Sequence, residues 1–417
     1  MFDAEPAPSP ERKYQISPAY ELKMTLFREG IVPDKDAREA LAGADGKVKT
    51  TADYRTTSGI ILNVLDGFYI NTPHPDESPF AKTSPNTLHF TGKDYQIQMG
   101  DGRVIEAKRV TPPEYMDRKN KNGVRYGNMV ATHTDRARIS PIMGCDLNCQ
   151  FCNVPYERMG YIKWDAESLV DAVKVALDDP VLPAKHLLIS GGTPKHEDFE
   201  HLQDVYSKIR QAFPGLEIDI MMTPAIREDG TELLNLKMLK DVLKINALSI
   251  NLELFSQDAA RRYMALKSAI GQDRFFKFLD QAVNVFGPGK VRSMLITGIE
   301  PVEETIKGIE ALAQIGVSPE MSTHRPEPNS LTLGSMLPPS VEDQERIDYV
   351  LHDIIEKYNP QFDGKLTDGL QCGPCMHNSN QQPTQKSYMT EYDKETKTTS
   401  HIPYSSTDLA RLHGPLT

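Results

Sequence analysis

The sequence predicts an α/β protein organised on a parallel sheet that is curled or partly closed into a barrel. Two observations predict it. From residue 137 onward, apolar strands alternate with amphipathic helices across short loops, six strands in all. The residues least typical of a packed core also fall at or near the C-terminal ends of those strands, where such barrels carry their sites. The flanks have a different texture, and the expected division is a lead-in at 1–15, a β-rich domain at 16–135, the barrel at 136–338, and a helix and tail at 339–417.

Residues 1–15 have neither the basic start nor the apolar run of a signal peptide and read as a disordered lead-in. Residues 18–29 have helical periodicity. Short alternating runs follow at 60–70 (broken at Asp66-Gly67), 87–90, 95–99 and 104–110. The turn Gly100-Asp101-Gly102 between two such runs is a hairpin signal. His74, His89 and His133 are too scattered to form a ligand set.

In the barrel region, strands are expected at 138–142, 186–190, 216–222, 248–255, 291–297 and 320–324. Helices are expected at 165–177, 199–213, 232–243, 257–266, 272–286 and 302–315. The strand at 248–255 puts Ser249, Asn251 and Glu253 on one face and Ile250, Leu252 and Leu254 on the other. A parallel strand buried on both faces is normally apolar throughout, so the polar face points to a wet or ligand-filled lumen, or else to an edge strand. After 338–339 comes a further helix at 340–358.

Composition narrows the chemistry. A net charge of −11 disfavours nucleic acid as the main partner, and the basic run at 118–125 has no interleaved aromatic residues for stacking. A small-molecule substrate is favoured. No stretch is long and apolar enough to span a bilayer, so no membrane partner is expected. Five cysteines, odd in number and clustered, argue for a reducing, cytoplasmic setting.

Three of the five are Cys145, Cys149 and Cys152, separated by four and then three positions. Thiols this close on one loop suit a soft metal centre: an iron–sulfur cluster with one iron left open, or a zinc site completed by a distant histidine. One βα unit later, Gly191-Gly192-Thr193-Pro194 closes a strand where two residues without side chains allow a ligand close to the backbone.

The Cys-x3-Cys-x2-Cys loop after the first barrel strand, followed by Gly-Gly-Thr-Pro after the second, resembles the radical S-adenosylmethionine (SAM) superfamily over roughly residues 138–327. The resemblance implies a partial (β/α)6 barrel and a 4Fe-4S cluster on Cys145, Cys149 and Cys152, whose open iron chelates the amino and carboxylate groups of SAM. It places Phe151 against the adenine, and Gly191, Gly192 and Thr193 at the methionine amino group. It places Ser249, Asn251 and Glu253 at the ribose, Arg262 at the SAM carboxylate, and Gly298 and Ile299 beside the adenine. The implied chemistry is one-electron cleavage of SAM to methionine and a 5′-deoxyadenosyl radical, which takes hydrogen from a small biosynthetic substrate and leads to rearrangement, elimination or carbon–carbon bond formation. An external one-electron donor such as flavodoxin or ferredoxin is implied as a partner. SAM-dependent transfer of a methyl or aminocarboxypropyl group, and a non-catalytic iron–sulfur or zinc protein, are the alternatives.

Two further candidate sets stand apart. Cys372-Gly-Pro-Cys375 fits an active-site or redox pair, ligands to a second metal or cluster, or a surface pair. At the end of the last strand, His324 is a candidate acid or base and Arg325 a candidate holder of a substrate carboxylate or phosphate.

Overall fold

The computed structural model describes residues 14–16, 18–43, 46–50, 59–64, 69–133, 136–156, 160–226, 233–332, 335–358, 389–393 and 398–400. Its centre is a seven-stranded sheet, whose strands we number along the chain: β1 Val130–His133, β2 Arg136–Ile139, β3 His186–Ile189, β4 Ile218–Met222, β5 Ala247–Ile250, β6 Val291–Thr297 and β7 Ser318–Thr323. Spatial order follows chain order from β1 to β7. β1 runs antiparallel to β2, and every other pairing is parallel.

This order has a mechanical consequence. Each parallel crossover steps to the next position with the same hand, so the crossover helices all fall on one face and the sheet curls away from them into a partial barrel. The outward residues of the strands, among them Ile139, Leu187, Ile220, Leu248 and Leu295, are buried in one core with helices Ala166–Leu177, Phe199–Ala212, Gln272–Phe286 and Val302–Gln314. Asp165 caps the first of these, accepting from Ser168 N–H at 2.8 Å. Helix Val341–Tyr358 adds Ile347, Leu351, Ile354 and Ile355 to the same core.

The inward residues are polar to a degree no packed core tolerates without partners. At the closed end of the lumen, Arg292 reaches Asp219 at 2.6 Å and lies 3.6 Å from Glu320, all three nearly buried. Toward the open end the β5 segment presents Ser249 and Asn251, whose side chains share a 2.8 Å hydrogen bond. The lumen is therefore polar, and β5 is a central strand between β4 and β6 rather than an edge.

Several expected elements differ in extent. The sheet has a seventh strand, β1, which the short run 130–133 did not announce. The strand expected at 138–142 splits: β2 ends at Ile139, and Ile142–Met143 pairs instead with Ile162–Lys163. Pro141 lacks the N–H needed to continue a ladder, and Ser140 Oγ turns to donate to Ile142 O at 2.6 Å. The strand expected at 248–255 ends at Ile250, because the chain bulges. Leu252 N–H goes to Ser293 Oγ, and Glu253, in the left-handed region at φ 73°, rejoins β6 through Met294 O and Ile296 N–H. The helix expected at 232–243 begins at 236 and contains a π-helical stretch, Met238–Val242; residues 227–232 lie outside the described residues. The helix expected at 257–266 is two pieces, Gln257–Tyr263 and Ala265–Ser268, broken at Met264.

Ahead of the barrel, helices Pro18–Glu29 and Lys35–Leu41 pack on a six-stranded sheet with its own core around Leu22, Leu26, Leu62, Ile70, Leu88 and Ile97. Arg28 donates to Pro338 O at 3.1 Å, and Phe27 lies under the Arg325 guanidinium at 5.1 Å. The N-terminal helix is thereby fastened to the lip of β7. No helix among the described residues is long and apolar enough to cross a membrane.

Candidate active site

A cavity of about 310 Å³ opens at the C-terminal end of the sheet. Cys145, Cys149 and Cys152 line it, and so do Gly191, Gly192 and Thr193 from the loop after β3. Hydrogen bonds join the two loops. Thr193 N–H donates to Cys145 Sγ at 3.2 Å, Leu147 N–H donates to the same sulfur at 3.3 Å, and Asp146 N–H donates to Thr193 O at 2.9 Å.

Glycine is required where the loops touch. A Cβ on Gly192 would stand 2.0 Å from Gly144 O and 2.6 Å from Cys145 Cβ, and one on Gly191 would meet Ser140 Oγ at 2.1 Å. Outside this contact a second set of bonds holds the loops. Asp198, buried at the start of helix Phe199–Ala212, accepts from Tyr161 OH and Lys163 Nζ, each at 2.7 Å. Burial and the Asp198 carboxylate together push the Tyr161 phenol well above its ordinary range, so it stays a donor.

Burial pushes the thiols of Cys149 and Cys152 up to about 12, and that of Cys145 up as well, against the pull of the N–H groups of Leu147 and Thr193. Bare thiols here are neutral, and binding a metal centre must drive out their protons. Among the described residues no three His, Cys, Asp or Glu side chains are gathered closely enough to hold one metal ion. A single zinc would need all its sulfurs ~2.3 Å from one point, whereas a cluster would take each thiolate on a different iron. Three soft donors on a half-buried loop facing an open cavity fit an iron–sulfur cluster with a small-molecule neighbour.

The sequence-predicted residues divide into two groups. Phe151, Asn251 and Glu253 line the cavity together with the cysteines and residues 191–193. Ser249 does not line it; it donates to Asn251 Oδ1, which also accepts from Met294 N–H at 3.3 Å, so Ser249 orients Asn251 from behind. Arg262 does not line the cavity; it is exposed, its guanidinium 5.1 Å from the centre of the Tyr263 ring. Gly298 packs against Pro339, and Ile299 packs against the small apolar cluster that includes Cys149, Phe151 and Leu254, both outside the cavity lining. Cys372 and Cys375 lie outside the described residues.

His324 and Arg325 are also away from the cavity. Arg325 is buried, paired with Glu327 at 3.2 Å and stacked on Phe27. His324 is 3% exposed, and burial lowers its pKa to about 4. An imidazole with a folded-state pKa below its unfolded value near 6.5 adds stability that is complete above pH 6.5 and is lost as pH falls toward 4. Its share is ~3 kcal/mol, of which ~2 is gone by pH 5. Urea unfolding at pH 7 and pH 5 tests this: the loss between the two is expected to shrink by about that amount in His324→Gln, and an equal loss in both proteins would remove His324 from the account.

Two charged residues at the site had no sequence signal. Lys267, on the short helix after the break at Met264, is nearly buried, lines the cavity and pairs with Glu253 at 3.3 Å. Arg138, on the lumen side of β2, lines it as well and donates to Ser190 Oγ at 2.9 Å. The remaining wall is rich in methionine: Met116, Met129, Met143, Met221 and Met222.

The family model described as "Radical SAM superfamily" matches residues 139–309. The bacteriochlorophyllide c C-7(1)-hydroxylase of Chlorobaculum limnaeum is 27% identical over 124 residues, 29% of this chain. The alignment spans 31% of that relative's length. Among solved structures, the FeFe-hydrogenase maturase HydG from Carboxydothermus hydrogenoformans aligns with a TM-score of 0.42 at 16% identity, over 54% of this chain and 52% of that one. A radical SAM methyltransferase from Sphaerobacter thermophilus aligns with a TM-score of 0.43 at 14% identity, over 65% of this chain and 75% of that one. Residues 139–309, which carry the cysteine loop, the Gly191–Thr193 segment and Lys267, are a radical SAM superfamily domain.

Proposed function

We propose that the protein uses a 4Fe-4S cluster on Cys145, Cys149 and Cys152 to cleave SAM reductively, and that it takes hydrogen from a saturated carbon of a small molecule. The observation that carries the reading is the contact between the cysteine loop and Gly191–Thr193, which brings three thiols and the backbone of 191–193 to the wall of one cavity. When bound, the cluster and SAM supply a one-electron cleavage that yields a hydrogen-abstracting carbon radical.

The chain's own residues bind, orient and exclude. Backbone carbonyls of 191–193 suit an ammonium group. Lys267 takes the place expected for Arg262: its ammonium is inside the cavity and suits a carboxylate, while Glu253, its present partner, suits ribose hydroxyls. Asn251, with its amide oxygen committed to Ser249 and Met294, has its NH2 left for the ligand. The methionine and aliphatic wall keeps water and exchangeable protons from the reacting carbon. The hydroxylase relative is named for a reaction at carbon, which is consistent with an opening step on a C–H bond. Rearrangement, elimination and carbon–carbon bond formation are further outcomes of that step.

The test is anaerobic reconstitution with iron, sulfide, dithionite and SAM. Wild type is expected to form 5′-deoxyadenosine, and Cys145→Ala to form less than about a hundredth as much. Methylthioadenosine or S-adenosylhomocysteine in its place would move the reading to group transfer, and intact SAM would overturn it.

A further inference from the structure

The cavity has two unlike sides. Its β5 side carries Asn251 and Glu253, with Lys267 paired to Glu253. The opposite side is formed by β1, β2 and the segments flanking them, and Met116, Met129, Val130, Ala131, Ile142 and Met143 line it. With Met221 and Met222 from β4, five of the chain's sixteen methionines line this one cavity. Thioether side chains are unbranched and polarizable, so such a wall moulds to a bulky apolar body, and its sulfurs favour the edges of aromatic rings.

Arg138 stands on the apolar side. It lies on β2 between Ala131 of β1 and Leu188 of β3. Its guanidinium donates to Ser190 Oγ at 2.9 Å, and the Ser190 hydroxyl donates in turn to Met221 Sδ at 3.4 Å. Bonds running over β2, β3 and β4 thus fix the plane of the arginine across the lumen. Three strand spacings separate β2 from β5, about 14 Å along the curl, so Arg138 and the Glu253–Lys267 pair serve different ends of the cavity. A guanidinium has five N–H donors in one plane, and a carboxylate is gripped by two of them at once. The bond to Ser190 uses one.

We infer that the β1–β2 side of the cavity is the pocket of a substrate with an apolar, ring-bearing body and a single carboxylate, and that Arg138 anchors that carboxylate. The inference rests on the reading that this cavity is the reaction chamber. Pockets of this kind take affinity from the apolar wall and orientation from a few polar groups. A phosphate ester, with up to two charges, would meet one cation among thioethers, whereas a monoanion on an apolar body matches both the wall and the charge.

The test uses the full chain, reconstituted, and two probes of one shape, 1-naphthylacetate and its neutral amide, 1-naphthylacetamide. Equilibrium dialysis gives the affinity of each, with and without SAM. Wild type is expected to hold the carboxylate about tenfold or more tighter than the amide, whether or not SAM is present. In Arg138→Gln the two probes should bind within about twofold of each other, with the amide at its wild-type affinity, which shows the cavity intact. Arg138→Lys should keep part of the preference, because it keeps the charge and loses the fork. Met116→Ala/Met129→Ala should weaken both probes about fivefold or more and leave their ratio unchanged. Four results would each overturn the assignment: equal affinities in wild type, a preference that survives Arg138→Gln, a preference abolished by SAM, which would give Arg138 to SAM, or loss of the amide in both Arg138 variants. A wild type that prefers the carboxylate yet forms no 5′-deoxyadenosine would sink the radical reading and leave the anchor standing.

Discussion

Gly192→Ala is expected to lower SAM cleavage by about 100-fold or more, because it moves the cysteine loop rather than removing a ligand. The added methyl would lie 2.0 Å from Gly144 O and within 2.8 Å of two Cys145 atoms, all backbone or Cβ, with no flexible side chain able to give way. One of the two loops has to shift, and the bonds from Thr193 N–H to Cys145 Sγ and from Asp146 N–H to Thr193 O are lost with it. Iron bound per chain after reconstitution and 5′-deoxyadenosine formed per hour are the measurements. Gly215→Ala, where nothing lies within 4 Å of the new methyl, is the matched control and should behave as wild type. Full iron content and full turnover in Gly192→Ala would show that the contact between the loops is dispensable.

The second large effect is one of stability. Arg292→Met removes the cation that faces Asp219 and Glu320 at the closed end of the lumen and leaves two nearly buried carboxylates without it. Breaking a buried pair from one side costs about 3–5 kcal/mol. The single tryptophan, Trp164, packs against the barrel core, so its fluorescence in urea reports this part of the molecule. Arg346→Met, which breaks the exposed pair with Glu303, should change the midpoint by no more than about 0.5 kcal/mol. Adding Asp219→Asn to Arg292→Met should recover part of the loss, since the pair and not the arginine alone is at stake. A midpoint for Arg292→Met equal to that of Arg346→Met would mean that the lumen network carries no load.

The barrel was legible because its signal is local. Alternating apolar strands and amphipathic helices, capped at positions such as Asp165, leave their period in the sequence, and the Cys145–Cys152 spacing needs no tertiary information at all. The placements that the sequence did not give depend on where the chain bends. The break at Met264 carries Lys267 into the cavity and leaves Arg262 outside, and a helix drawn straight through 257–266 cannot distinguish them. Ser249, just ahead of the bulge at 251–253, donates to Asn251 and does not line the cavity. His324 and Arg325 follow a strand end, as site residues in barrels do, but the N-terminal helix bearing Phe27 and Arg28 packs over that lip, and its arrival there is written in neither segment alone. β1 is four residues long and antiparallel, so it lacks the helix that would have marked it as part of the sheet.

One property of the sheet bears on how such a site can be altered. In a barrel closed by hydrogen bonds, strand number and stagger together fix the diameter, and changing the girth means breaking a ladder. Here β1 and β7 are the two ends of an open row. The curl can tighten or relax between those two ends with every existing ladder intact, so no ring of hydrogen bonds fixes the width of the cavity. Val130 and Ala131 of β1 line it, and substitutions on that edge strand can alter its width without touching the loop of thiols.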